Sequence, residues 1–188
     1  MLHQLFVGAL LALACFFSPA AHAQAGTAGG TLHWSASRPL TLADFKSRPR
    51  PSEAHAALTS ATIVAQVACK GGQFTGHVQA AFDPTASWWR EPGTATPRLL
   101  RHEQLHFDIT EVYARRLRQK LAAVRVPCAQ LGSAFETLAQ GVYAEWEKAE
   151  QQYDRDTNHG LKPEPQARWE AQVQQQLREL AEWADEAA

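Results

Sequence analysis

A single change of hydrophobic period divides this chain. From Ala61 to Phe82 small or apolar residues take every second position: Ala61, Ile63, Ala65, Val67 and Cys69, then Phe74, Gly76, Val78, Ala80 and Phe82. Thr62, Gln66, Lys70, Thr75, His77 and Gln79 fall on the opposite side. Side chains alternate faces along a strand, so each run predicts a half-buried strand, and Gly71-Gly72 supplies a two-residue turn between them. Asp83-Pro84 ends the hairpin, and Ser87-Trp88-Trp89 leads into a Pro- and Gly-rich loop. Beyond Pro97 the period becomes 3.6. It predicts a long helix over residues 99–124, stopped by Pro127, and a second over 131–152 that contains Gly141. The polar residues 153–161 predict a loop. A last helix starts at Pro163 or Pro165 and carries Trp169, Val173, Leu177, Leu180 and Trp183 on one stripe, which packs internally, the alternative being packing against a partner. Strands followed by helices, with no internal repeat, predict an α+β fold in one domain.

The residues before the hairpin are less regular. An apolar run from Leu5 to Phe17, then Ser18-Pro19 and the small-x-small triplet Ala21-His22-Ala23, reads as a secretory signal cleaved after Ala23. The domain then spans 24–188, or 165 of the 188 residues. The run is too short to span a bilayer, and Cys15 lies inside it, in the wrong setting for lipidation. Gly26 to Gly30 is a flexible lead-in, Leu32 to Ala36 a short strand, Thr41 to Asp44 a capping box opening a short helix toward Phe45, and Arg48 to Ser52 a loop. Cleavage leaves two cysteines, Cys69 and Cys128, and in an oxidising compartment these pair as a disulfide; the alternative is two small buried thiols. The destination is the periplasm or the exterior. The chain carries 18 basic and 19 acidic residues, a net charge of −1, which offers no electrostatic footprint for nucleic acid or a lipid surface.

The chemistry resides in His102-Glu103-Gln104-Leu105-His106. Positions four apart lie one above the other on a helix, so both imidazoles can face one metal ion. Zinc accepts neutral imidazole nitrogen, and Glu103, one step round the helix, is placed to act as general base on water. His102 and His106 share a face with Leu105, Ile109, Tyr113 and Leu117, so they point into the protein; two hydrogen-bonded core histidines are the alternative reading. Counted round the same helix, Asp108 and Glu111 fall on the solvent side. His33, His55 and His77 have no motif around them. His159, beside Gly160, is left open between a third ligand brought in by chain folding and an exposed residue of an Asx-type connection. Tyr153 is a candidate donor to a developing oxyanion.

The stretch Arg101 to Ile109, together with Tyr153-Asp154-x-x-Thr157-x-His159-Gly160, resembles the bacterial exported proteins grouped as domain of unknown function 922, which are described as predicted zinc-dependent proteases. The similarity extends to Arg38-Pro39-Leu40-Thr41, Asp44-Phe45 and Ser87-Trp88 upstream, and to Gln166 and Trp169 downstream. The resemblance implies a zincin-like arrangement, with a small antiparallel sheet packed on the motif helix. It implies His159 as third ligand to one zinc ion, and Asp154 and Asp156 as carboxylates orienting a ligand imidazole. The expected function is therefore an exported zinc metallopeptidase acting on a peptide or protein, with Glu103 as base. The competing class is an exported zinc-binding or scaffold protein without hydrolytic activity, in which Glu103 has no required role.

Overall fold

The computed structural model describes residues 30–70 and 73–185. The expected export signal and the expected Gly71-Gly72 turn lie outside the described residues. Strand β1 is Leu32–His33, β2 Ala57–Leu58, β3 Ala61–Lys70, β4 Gln73–Phe82 and β5 Trp88–Trp89; the helices are α1 Pro97–Ala122, α2 Leu131–Thr157 and α3 Pro163–Glu179. The architecture is α+β, with a small antiparallel sheet and three helices among the described residues. Among them no helix is long and apolar enough to cross a membrane.

The hairpin follows its alternation. β3 and β4 pair antiparallel from Ala61 opposite Phe82 to Lys70 opposite Gln73, and β1 adds to the far edge of β4, giving the order β1-β4-β3. Ile63, Val78, Ala80 and Phe82 point into the core while Thr62, Gln66, Thr75 and His77 face solvent, as a sheet with one wet face requires. The predicted strand at 32–36 is only two residues long, because Trp34 turns inward and donates its indole N–H to Asp108 on α1. The pair β2–β5 had no signal in the sequence: each strand has two residues, too few to show a period. It sits beside α1 and forms one wall of the site described below.

Helix α1 opens on Pro97 after Thr96, whose hydroxyl accepts from the Leu99 amide. The sheet packs on it through β4, and α2 and α3 cover other sides. As a result nine consecutive residues, 107–115, are buried. This corrects the placement of Asp108 and Glu111 on a solvent face, since the middle of α1 has none. Asp108 accepts from Trp34 Nε1 at 2.7 Å and Gln104 Nε2 at 2.8 Å. Glu111 accepts from Arg115 Nε at 2.8 Å and Arg118 Nη1 at 3.2 Å. Those guanidinium groups also reach backbone carbonyls of Leu177 and Val78, which ties α3 and β4 to α1.

Two local features hold the chain ends of this core. Asp44 accepts from the Thr41 amide at 2.7 Å and pairs with Arg38 at 2.7 Å, so the capping box forms as expected and closes a short 3-10 turn. Phe45 then packs edge-on against Phe82 and Trp89. Cys69 and Cys128 form a disulfide across a separation of 59 residues, joining the hairpin tip to the start of α2. A loop of that length constrains the unfolded chain by about 4 kcal/mol on the chain-entropy model. Replacing both cysteines with serine is expected to lower unfolding stability by roughly 2–4 kcal/mol in urea titrations, with no change in the wild type until a reductant opens the bond.

Candidate metal centre

The first two donors come from α1. His102 and His106 are one turn apart, and their Nε2 atoms approach to 3.3 Å. The third comes from α2, which does not stop at Gln152 but continues to Thr157. Residues 153–157 of the loop expected over 153–161 are helix, with Tyr153 and Thr157 buried, Asp154 turned to the two histidines and Arg155 exposed; the breaker is Asn158-His159-Gly160, all at positive φ. On this extended helix Asp154 lies one turn beyond Glu150. Its Oδ1 is 3.3 Å from His102 Nε2 and 3.3 Å from His106 Nε2. The left-handed turn carries His159 back over the same point, with Nδ1 3.3 Å from that oxygen.

The outer bonds determine which ring nitrogens carry protons. Gln166 on α3 donates its amide to the Glu170 carboxylate, so its Oε1 faces the other way, accepting from Tyr153 Oη at 2.8 Å and lying 3.2 Å from His102 Nδ1. An amide oxygen only accepts, so His102 Nδ1 donates. His106 Nδ1 stands 2.5 Å from Glu150 Oε2, again a pure acceptor, and Trp146 Nε1 holds the other Glu150 oxygen at 2.8 Å. Each neutral imidazole therefore turns a bare Nε2 lone pair inward, toward the other ring and toward a carboxylate oxygen. Asp154 Oδ1 is buried and has no aligned hydrogen bond among the described residues. Three acceptors with no donor repel one another unless a cation lies between them.

The residues fit a metal. His102, His106 and Asp154 bring one ligand atom each into a common cluster. Donors about 2.0–2.1 Å from a tetrahedral zinc are separated by about 3.3 Å. The Glu150–His106 pair is the carboxylate–imidazole arrangement that orients a ligand. Without an ion, protons take over part of this role. Burial opposes charge on His106, but Glu150 and Asp154 outweigh it and hold the imidazole well above its ordinary value. Burial likewise opposes charge on Asp154, and the two histidines hold its carboxyl far below the usual carboxylate range.

Glu103 lines the same cavity, of about 290 Å³, as His102, His106, Asp154 and His159. Its Oε2 accepts from Thr59 Oγ1 at 2.8 Å, which aims the carboxylate from the side of β2. Tyr153 does not line it. The side chain is fully buried, its ring stacked on His102 at 4.7 Å and its hydroxyl given to Gln166, so the geometry offers no oxyanion donor there. Burial pushes the hydroxyl well above its ordinary pKa. Asp154 stands among the inner donors rather than behind them. Asp156 faces away, accepting from Trp169 Nε1 at 3.0 Å, and reaches His102 only through the Trp169–Tyr153–His102 stack. Sequence reasoning missed Glu150 and the part played by Gln166; the available signal for Glu150 was its i, i+4 spacing from Trp146 and Asp154.

The model of a family of bacterial proteins of unknown function, DUF922, matches residues 20–160, and the chain belongs to that family. The match includes every donor above but ends before Gln166 and Trp169, to which the resemblance had been extended. No curated protein and no solved structure is detectably similar to the chain.

Two outcomes follow for the protein kept in chelator. His106 binds its proton more tightly folded than unfolded, where the value is near 6.5. That stabilisation is complete below about pH 6.5 and is lost as pH rises through the raised folded value. Melting temperature in chelator is thus expected to fall as pH rises above 6.5, and Glu150→Gln to flatten the slope. Separately, a Cβ on Gly160 would lie 2.9 Å from His102 Cγ at a φ of +75°. Gly160→Ala is expected to cost about 1–3 kcal/mol in denaturant unfolding.

Proposed function

We propose that this family member is an exported zinc-dependent metallopeptidase. The observation that carries the reading is the set of three inward acceptors, His102 Nε2, His106 Nε2 and Asp154 Oδ1, 3.3 Å apart, with Glu103 on the same cavity. His102, His106 and Asp154 would hold one zinc ion, with His159 as the further donor at the cavity mouth. When bound, such an ion supplies Lewis-acid polarisation of a carbonyl and lowers the pKa of water. Glu103 takes the proton of the attacking water on its carboxylate and hands it to the departing amine, as the peptide C–N bond breaks. Thr59 keeps that carboxylate aimed, and Glu150 and Gln166 keep both ring nitrogens in the ligand tautomer. A zincin-like relation between sheet and motif helix belongs to this proposal. So does export: the Cys69–Cys128 disulfide suits an oxidising compartment such as the periplasm.

Metal analysis and peptide hydrolysis test the reading together. The purified protein is expected to hold about one zinc per chain, and His102→Ala or Asp154→Ala to hold almost none. Glu103→Gln should retain the metal and lose at least a hundredfold in hydrolysis of a peptide library, the usual size of a general-base contribution. Stoichiometric zinc with no hydrolysis by the wild type would instead support the zinc-binding protein. Absence of any bound metal would leave two core histidines.

A further inference from the structure

The walls of the cavity carry a second kind of information. Its charged side chains are Glu103, Glu150 and Asp154, and among the described residues that line it there is no lysine or arginine. Beside these stand the imidazoles of His55, His102, His106 and His159 and the neutral polar Thr59, Thr110 and Gln151, and an apolar strip is formed by Leu58 of β2, Ala61 of β3, Leu99 of α1 and Trp146 of α2. Leu58 is 42% exposed, an uncovered aliphatic side chain at the rim. The indole N–H of Trp146 is committed to Glu150, which leaves its ring as surface for apolar contact. The neighbouring cations are engaged elsewhere: Arg90 bonds to the His55 and Glu53 carbonyls, and Arg101 pairs with Glu170.

Recognition of a free C-terminal carboxylate, or of an acidic side chain, needs a cation or a cluster of donors at the place where it lands. Here the described lining holds three carboxylates, Glu103, Glu150 and Asp154, and neither lysine nor arginine. A dication would answer Asp154 and one further negative charge, and the remainder still repels an anion. The apolar wall, in contrast, rewards an aliphatic or aromatic group by removing it from water.

Resting on the peptidase reading, we infer that the cavity selects an internal stretch of polypeptide bearing an apolar side chain and discriminates against acidic side chains and free C-terminal carboxylates. The enzyme is an endopeptidase in this account and has no carboxypeptidase action.

Binding, read apart from cleavage, tests this. Zinc-loaded wild-type protein is titrated by calorimetry with hydrolysis-resistant, backbone N-methylated and N-acetylated tripeptide amides carrying Leu, Phe or Asp at the central position, and with the Leu peptide as its free acid. The Leu and Phe amides are expected to bind at least tenfold more tightly than the Asp amide and the free acid. Leu58→Arg, at an exposed position that tolerates the change, and Leu99→Arg are expected to bring the two acidic ligands level with the Leu amide. Equal or tighter binding of either acidic ligand to the unaltered wall overturns the inference, as does binding of none of the four. A selectivity unmoved by both arginine variants overturns it too, because the ligand then sits elsewhere. Should wild-type protein bind with the expected selectivity but cleave nothing, the selectivity stands and the peptidase reading falls.

Discussion

Enclosure of α1 is the constraint from which the rest of the structure follows. A helix covered on several sides along 107–115 can keep polar side chains only if neighbouring elements supply their partners. Each partner found is a tie between elements distant in sequence. Trp34 answers Asp108, the Leu40 amide answers Gln104, Thr59 answers Glu103, and Glu150 answers His106. The Glu111–Arg115–Arg118 cluster extends the same logic to carbonyls on α3 and β4. Apolar burial drives the helix into the centre, whereas the polar ties decide which face meets which neighbour. Register is the gain, since sliding α1 by one turn would break the outside bonds of Glu103, Gln104, His106, Asp108, Arg115 and Arg118 at once.

At one place the rule is broken. Every buried polar group on α1 is answered by a donor or acceptor of the opposite kind except at the inner ends of His102 and His106. There α2 presents another acceptor, Asp154, whose Oδ1 has no aligned hydrogen bond. The outer hydrogen bonds sharpen the conflict, because Gln166 and Glu150 draw the ring protons to the far nitrogens. The proposed cation would complete that contact and turn the supporting bonds to its advantage. In the absence of an ion, Glu150 and Asp154 hold His106 basic and the facing imidazoles hold Asp154 acidic in the same cluster.

How much of this could be read from the sequence depended on where each polar face pointed. The hairpin was legible because one of its faces is wet, so its alternation survives in the residues. α1 was legible through its period and the prolines on either side of it, but the period assigns a polar arc to solvent by default. That default failed for Asp108 and Glu111, whose partners come from elements far along the chain. It failed again at the end of α2, where Asp154 looks inward to the site and makes helix read as loop. Glu150 and Gln166 were invisible for the same reason: a residue that completes an imidazole's hydrogen bond is defined by tertiary neighbours and has no local pattern. His102, Glu103 and His106 could be found because one helical turn relates them.

The turn after α2 shows what the fold gives up for this geometry. Asn158 and His159 both adopt left-handed backbone, a conformation that costs an L-residue roughly 1–2 kcal/mol. Only Gly160, the third in the run, adopts it freely. A gentler loop would relieve the strain, but it would also lift Gly160 off the His102 ring and delay the entry of α3. Gln166 lies only six residues beyond Gly160, so any slack in the turn moves its amide away from His102 Nδ1. The three restraints on that ring, Gly160 on one side, Tyr153 stacked at 4.7 Å and Gln166 at its outer nitrogen, act on a single rotatable side chain. The strain is local and small, while the rotamer it helps to fix determines whether the two Nε2 atoms and the Asp154 oxygen converge at all. A tight left-handed turn is thus the mechanical counterpart of the proposed ligand chemistry, because convergence to within a few tenths of an ångström is beyond what a flexible connection can hold.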